Sequence, residues 1–464
     1  MIIRCRPIKW YKLSYLKKVT QTFFSGHERT VKARKNILAS FGLKGVSILI
    51  NLLLIPLTID YLNPTKYGIW ITLTSVLAWF HLFDIGLGNG MRNKFAIAKA
   101  NGELQLAKMY VSTTYAIIAI ISIVLFILFN LIFPFVNWAH FFNVPQDQYE
   151  LGKLVYIVFS VFCLQFVVKL INTLFIADQR PAMSNVINTT GSVLSLIIVF
   201  VLLKTTHGSL LYLGASFSLV TVIVPFVFGL WAYNTSYKKY KPSFTDIDFS
   251  KSKELLTLGA KFFILQGAAL IVYMTDNIII TQIAGPEEVT PYNIAFKYFG
   301  IVTIFFTIIT KPYWSAITEA YKKNELKWIK NSIRITMRFW YIAIVVVFVM
   351  LLLAESVYHI WIGDAVSIPF SLSMLMGIYV VLASHVMIFG NFLNGVGKIK
   401  ISILLSVFMG VTNIPLSIFF AKNLELGSVG VMLATCVGLF VCMLVQPIQY
   451  IKIIRGKASG IWNQ

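Results

Sequence analysis

NILASFGLKGVSILINLLLIPLTIDYLNPTKYGIW, residues 36–70, decides the fold class. From Asn36 to Leu62 the run is apolar and long enough for the roughly 20 residues a helix needs to cross the hydrocarbon of a bilayer. A second such run begins at Tyr67, and the pattern recurs with short polar breaks to the end of the chain. It predicts helices at about 36–62, 67–90, 109–137, 151–176, 186–204, 210–233, 257–284, 293–317, 337–362, 370–394, 401–421 and 427–451. Strands of a membrane barrel would alternate over about ten residues, whereas these runs are continuously apolar and twice as long. With 58% hydrophobic and 12% charged residues over 464 positions, the chain has about half the charge of a soluble protein. The expectation is an all-α membrane protein of about twelve transmembrane helices, with no room for a large soluble domain.

A net charge of +22 invites a nucleic-acid reading, and the placement of the charges excludes it. With the N-terminus in the cytoplasm, about 31 of the 40 basic residues fall in the leader 1–35 or in inner loops, around Arg92 to Lys108, Arg180, Lys238 to Lys253, Lys322 to Arg338, Lys398 to Lys400 and Lys452 to Lys457. Outer loops or their edges hold only Lys66, Lys153, Lys204 and Lys422. That asymmetry is the positive-inside rule and puts both termini in the cytoplasm. Residues 1–35 are basic with interleaved aromatics and lack the apolar core of a signal peptide; they read equally as a leader lying on anionic lipid or as a solvated extension. Cys5, Cys163, Cys436 and Cys442 show no spacing for a disulfide framework or a metal site. No nucleophile elbow, phosphate loop or zinc spacing supports catalysis, and no cofactor is expected. His81 and His385 read as packed or pore-lining residues.

The chain repeats itself weakly. Gly42-Leu43-Lys44 in the first helix matches Gly259-Ala260-Lys261 in the seventh, and AKANGELQLAK from Ala98 matches AYKKNELKWIK from Ala320. The offsets are 217 and, between Glu103 and Glu325, 222 positions. Two parallel six-helix lobes follow, at 36–233 and 257–464, joined by a basic cytoplasmic linker at 234–256 and enclosing a central cavity. An ionisable residue inside a membrane is costly and must face protein or water. Lys44, Lys261 and Lys311 lie in the cytoplasmic third of their helices, Lys169 lies in helix four, and Lys297 in the outer third of helix eight. Snorkelling to the headgroups competes with cavity lining for these lysines, and the symmetric placement of Lys44 and Lys261 favours the cavity. Carboxylates are fewer. Asp276 and Lys297 are predicted at similar depth on adjacent helices, as a structural ion pair or as a proton or sodium coupling site. Asp84, a further candidate for an ion pair or for coupling, opens DIGLGNGMRN, whose glycines permit a bent helix end or close packing. A cavity with more lysines than carboxylates favours an anion, and Lys is a competent phosphate ligand.

Residues 36–70, followed by FHLFDIGLGNGMRNKFAIAKANGE at 80–103, resemble the Wzx-type polysaccharide (O-antigen) repeat-unit flippases. These share a superfamily with the multidrug and toxin extrusion (MATE) transporters and the peptidoglycan lipid flippases. The resemblance is strongest over the first two helices and extends to the TDNIII stretch at Thr275. It implies a MATE-like fold and no enzymatic activity. The activity implied is outward flipping of an undecaprenyl-pyrophosphate-linked oligosaccharide across the bacterial cytoplasmic (inner) membrane by alternating access. A polysaccharide polymerase and chain-length machinery would be further partners beside membrane lipid. Candidate ligands for the headgroup are then Lys44, Lys261, Lys311 and Arg92. A MATE-like cation-coupled drug or metabolite exporter is the alternative, and would want an acidic cavity.

Overall fold

The computed structural model is all-helical over the residues it describes, which are 28–84, 86–145, 150–178, 180–256 and 274–464, with backbone alone at 28–41, 311, 312 and 315. The first half holds α1 (Glu28–Leu62), α2 (Pro64–Phe80), α3 (Leu87–Ala100), α4 (Leu104–Ile132), α5 (Leu151–Val168), α6 (Leu170–Ala177), α7 (Pro181–Thr205) and α8 (Leu210–Asn234). The second half holds a helix over residues 274–284, then α9 (Pro286–Lys322), α10 (Leu326–Ile362), α11 (Phe370–Val396), α12 (Lys400–Ile418) and α13 (Gly427–Ile454). Among the described residues ten helices are long and apolar enough to cross a membrane, or eleven if α2 and α3 form one bent span. The expected span at 257–284 is described only from residue 274, so the expected Lys261 lies outside the described residues, as do leader residues 1–27.

The repeat is written into the turns. Asn63 and Gly285, 222 positions apart, take nearly the same backbone conformation (φ 83°, ψ 165° and φ 95°, ψ 159°), and each is followed by a proline at the first helical position. Pro is preorganised for that position, where its missing N–H costs nothing. At the other end of the paired helices, Glu103 N–H donates to the Ala98 carbonyl (2.9 Å) and Glu325 N–H to that of Ala320 (2.8 Å). Both turns pass through a left-handed residue, Gly102 in one and Asn324 in the other, the two residue types that tolerate it. The stretches from Pro64 to Ala100 and from Pro286 to Lys322 are therefore equivalent. α9 spans its stretch unbroken, but the first copy breaks at His81–Asp84 into a 3-10 turn and bends by 47°. Asp84 sits at the break and accepts from the N–H of Gly86, the residue that precedes α3, at 2.5 Å.

α9 and α10 each run for 37 residues, well beyond the 293–317 and 337–362 expected from apolar runs. Their added turns carry Glu319, Lys322, Lys327 and Lys330, residues that sustain a helix but are invisible to a hydropathy criterion. In the second lobe α11 is the central helix, packed against both α9 and α13.

The segment 234–256, expected as a cytoplasmic linker, is folded onto the first lobe. Tyr237, Tyr240 and Leu255 are buried in the same core as Phe95 and Phe175. Lys94 and the Tyr110 hydroxyl each donate to Glu254 at 2.8 Å. Lys108 pairs with Asp246 at 2.6 Å, Lys99 pairs with Asp178, and the Tyr237 hydroxyl donates to Asp178 at 2.6 Å. Lys94, then Tyr110, hold the Glu254 carboxyl down to about 2, well below the ordinary Glu value of about 4.3. α3 approaches so closely that a Cβ on Gly90 would lie 2.2 Å from the Leu255 carbonyl oxygen. Gly90→Val is therefore expected to lift the segment off, read as faster tryptic cleavage at Lys238, Lys239, Lys251 or Lys253 in detergent. Because the folded carboxyl titrates below the unfolded one, the clamp contributes fully above about pH 5 and is lost as pH falls towards 2. Hydrogen exchange at the amides of 237–254, corrected for intrinsic rate, is expected to be flat from pH 7 to about 5 and to accelerate below.

Candidate functional site

The lobes meet along α2 and α9. A Cβ on Gly68 would lie 1.7 Å from the Pro286 carbonyl oxygen. The pseudo-symmetric counterpart of that contact is Thr290, 222 positions after Gly68, whose hydroxyl donates to the Pro64 carbonyl at 2.7 Å. Further polar contacts follow: Thr72 and Thr281 hydroxyls at 2.6 Å, Asn277 donating to Ser75 at 2.9 Å, and Asn293 donating to Asn277 at 2.7 Å. Asn143 donates to the Thr281 carbonyl at 3.2 Å, Gln282 donates to the Phe141 carbonyl, and Trp361 of α10 donates to the Leu52 carbonyl at 3.0 Å. Hydrogen bonds between the lobes thus gather at the end of the bundle marked by Asn63 and Gly285. Towards the end that carries 234–256, Ile301, Phe305 and Ile308 form an exposed stripe on α9, and Phe83 is exposed near the foot of α2. Among the described residues the two halves are joined at the end marked by Asn63 and Gly285. The seam residues escaped sequence reading, although their signal is present as hydroxyls and amides at helical spacing in apolar runs (Thr72 and Ser75; Asn277 and Thr281).

The ion pair expected between Asp276 and Lys297 does not form. Asp276 is buried and accepts from the Tyr292 hydroxyl at 2.6 Å, its other oxygen having no partner among the described residues. Lys297 donates to the Tyr67 hydroxyl across the seam at 3.3 Å. Depth was legible, but the rotation of each side chain about its helix was not, and tyrosines filled both roles. Lys169 does not snorkel: its Nζ lies 2.8 Å from His81 Nδ1 and 4.4 Å from the centre of the Phe166 ring.

The expected ligands are spread out. Lys44 is exposed, third in the apolar stretch Gly42–Leu62 of α1, one turn from Ser47, which shares a hydrogen bond with Ser192 of α7 (3.3 Å). At about 1.5 Å per residue it stands roughly 27 Å from the joined end. Arg92 is exposed on α3. Neither forms an ion pair or hydrogen bond among the described residues, while Asp178, Asp246 and Glu254 are all engaged by basic residues. The side chain of Lys311, in α9, lies outside the described residues. No group of His, Cys, Asp or Glu fit to hold a metal occurs among the described residues.

Comparison with known proteins places these features. The family of polysaccharide biosynthesis proteins matches residues 33–318. A Yersinia pseudotuberculosis protein named for O-antigen export is 24% identical over 377 residues, covering 78% of this chain and 83% of the relative. A Salmonella typhi protein named as an O-antigen transporter is 22% identical over 283 residues, covering 61% and 63%. Among solved structures, an inward-facing multidrug resistance MATE family transporter of the MOP superfamily superposes with a TM-score of 0.72 at 15% identity, over 89% of this chain and 96% of the other; the fold is MATE-like.

The seam is open to direct test. Thr72→Cys with Thr281→Cys is expected to oxidise spontaneously, since 2.6 Å between the present hydroxyls leaves the short reach a disulfide requires. Mass spectrometry of the linked peptide reads it, and its absence would mean the lobes do not close there.

Proposed function

The chain belongs to the polysaccharide biosynthesis protein family, and from that premise we propose that it is a flippase for undecaprenyl-pyrophosphate-linked oligosaccharide repeat units in the bacterial cytoplasmic membrane. It moves them from the inner to the outer leaflet for assembly of O-antigen or capsule. The observation that carries the reading is a two-lobed helical fold joined at one end by the α2–α9 seam, with the cations Lys44 and Arg92, which form no ion pair among the described residues, placed towards the other end. The naming of relatives for O-antigen export and transport supports the same substrate class. The basic segment 234–256 and both termini face the cytoplasm in this reading, so the opening faces inwards and receives the lipid-linked sugar.

Lys44, Lys261, Lys311 and Arg92 bind the pyrophosphate while the polyprenyl chain stays in lipid. Lysine suits a diffuse phosphate charge as a mobile point cation, and arginine adds a bidentate fork. Sugars and phosphate cannot enter hydrocarbon unpaired, and the cavity substitutes for the water they lose. Carrying about two negative charges outwards across a negative-inside membrane releases roughly 4 to 5 kcal/mol per 100 mV, at about 2.3 per charge. Ion coupling is therefore not required by the energetics. The Asp276–Tyr292 pair, buried beside the seam, is the site at which a coupling ion would act if one is used. The lobes, at 36–233 and 257–464, exchange the seal from one end to the other, and a polysaccharide polymerase with its chain-length machinery consumes the product.

Deletion of the gene is expected to abolish surface polysaccharide and to accumulate lipid-linked repeat units on the cytoplasmic face, with restoration by the intact gene; normal surface polysaccharide would overturn the reading. Lys44→Ala with Lys261→Ala is expected to cut export by tenfold or more at unchanged membrane level. The scale follows from losing charge-assisted hydrogen bonds of about 1.5–3 kcal/mol each. Full export by this variant would refute the cationic cavity.

A further inference from the structure

A cavity of about 270 Å³ lies inside the first lobe, between α2, α5, α7 and α8, and no lysine is among its lining residues. That is at the lower limit of small-molecule sites, which run from roughly 300 to 1,000 Å³. It holds one ring-sized group and excludes a whole oligosaccharide or a polyprenyl chain. Trp70 and Phe217 line it edge to face, with ring centres 6.1 Å apart at 76°. Around them stand His81, Gln165, Ser195 and Ser218.

The polar groups are unspent. The side chains of Gln165, Ser195 and Ser218 make no hydrogen bond among the described residues. An ammonium has only N–H to give, so Lys169 donates to His81 Nδ1. The imidazole is then neutral, with its proton on Nε2 and free to donate. No lining residue carries a full charge. Unpaired polar groups at membrane depth are costly, so this arrangement calls for a neutral ligand rich in both donors and acceptors. The paired aromatic rings add a flat apolar face. A pyranose matches all three conditions, with hydroxyls around its edge, an apolar C–H face and no charge.

We propose that this cavity is a subsite for one neutral sugar ring of the transported molecule, an inference that rests on the flippase reading above. Pyrophosphate and sugar are then held at separate places: the charge by cations exposed on α1 and α3, and one ring by an uncharged pocket inside the first lobe. Selection among sugars follows from the pocket, because a site built to hydrogen-bond hydroxyls discriminates strongly against ligands that lack them.

The test uses the full-length chain in lipid nanodiscs, with Cys5→Ser to remove background and Ser195→Cys as reporter; the native Cys163, Cys436 and Cys442 are buried. Methyl glycosides of common hexoses and N-acetylhexosamines are the probes, and sodium pyrophosphate is the control. At least one glycoside is expected to slow maleimide labelling of the introduced thiol about tenfold at saturation, with pyrophosphate having no effect. Adding Gln165→Leu is expected to weaken that protection about tenfold. Labelling unaffected by every glycoside, or slowed equally by pyrophosphate, would overturn the subsite. Surface polysaccharide in the deletion strain reports separately on the flippase reading. Export with no glycoside protection strikes the subsite alone, and protection by a glycoside in a chain without a role in export strikes the flippase reading alone.

Discussion

Where α2 meets α9, the backbone of Gly68 lies against the Pro286 carbonyl with no space for a single added carbon, and the reciprocal contact at Thr290 and Pro64 is a hydrogen bond. In lipid the hydrophobic effect gives no drive for one helix to leave hydrocarbon for another, so association rests on close packing and interhelical hydrogen bonds. The seam uses both. Across the interface Thr72 pairs with Thr281 and Asn277 donates to Ser75, while Asn293 supports Asn277 from within the second lobe, so a closed end leaves little polar surface exposed to lipid. Parting the lobes leaves those groups needing water. A seam of this kind is stable when dry and readily undone when hydrated, which suits an interface that opens and closes.

The charges are sorted as sharply as the packing. Glu254, Asp246 and Asp178 anchor the segment 234–256 to the first lobe, each engaged by at least one lysine. Pairs whose lysines stay partly in water contribute little individually, but here they frame buried Tyr237, Tyr240 and Leu255 and act with apolar packing. Their second consequence is electrostatic. Asp178, Asp246 and Glu254 are already occupied, and Lys44 and Arg92 form no ion pair among the described residues.

Much of the fold was legible because it is carried by local, repeated signals: long apolar runs, short polar breaks and a weak internal match. The turns at Asn63-Pro64 and Gly285-Pro286 carry the same 222-position offset as Glu103 and Glu325, and are as informative as the lysine match, yet Asn and Gly look unrelated until their shared left-handed conformation is seen. The ends of α9 and α10 were missed because Lys and Glu extend a helix past the membrane without adding hydropathy. The site was less legible. Asp276 and Lys297 share a depth, but Tyr292 and Tyr67 are nearer partners in the folded chain. The inner pocket draws on residues as far apart as Trp70 and Ser218, with no local motif to join them.

The two repeats differ most where function would demand it. α9 passes straight through the level at which α2 gives way to a 3-10 turn and α3. Breaking a helix in the membrane frees backbone N–H and carbonyl groups, and Asp84 is the residue that recaptures one of them at Gly86. What the break provides is a redirected backbone that leaves His81 facing the cavity between α2, α5, α7 and α8. In the second lobe, the cavity beside Thr310 and Thr336 holds only about 10 Å³, room for no more than about one water. The first half thus combines a broken helix with a pocket, and the second supplies an unbroken helix against which the seam closes.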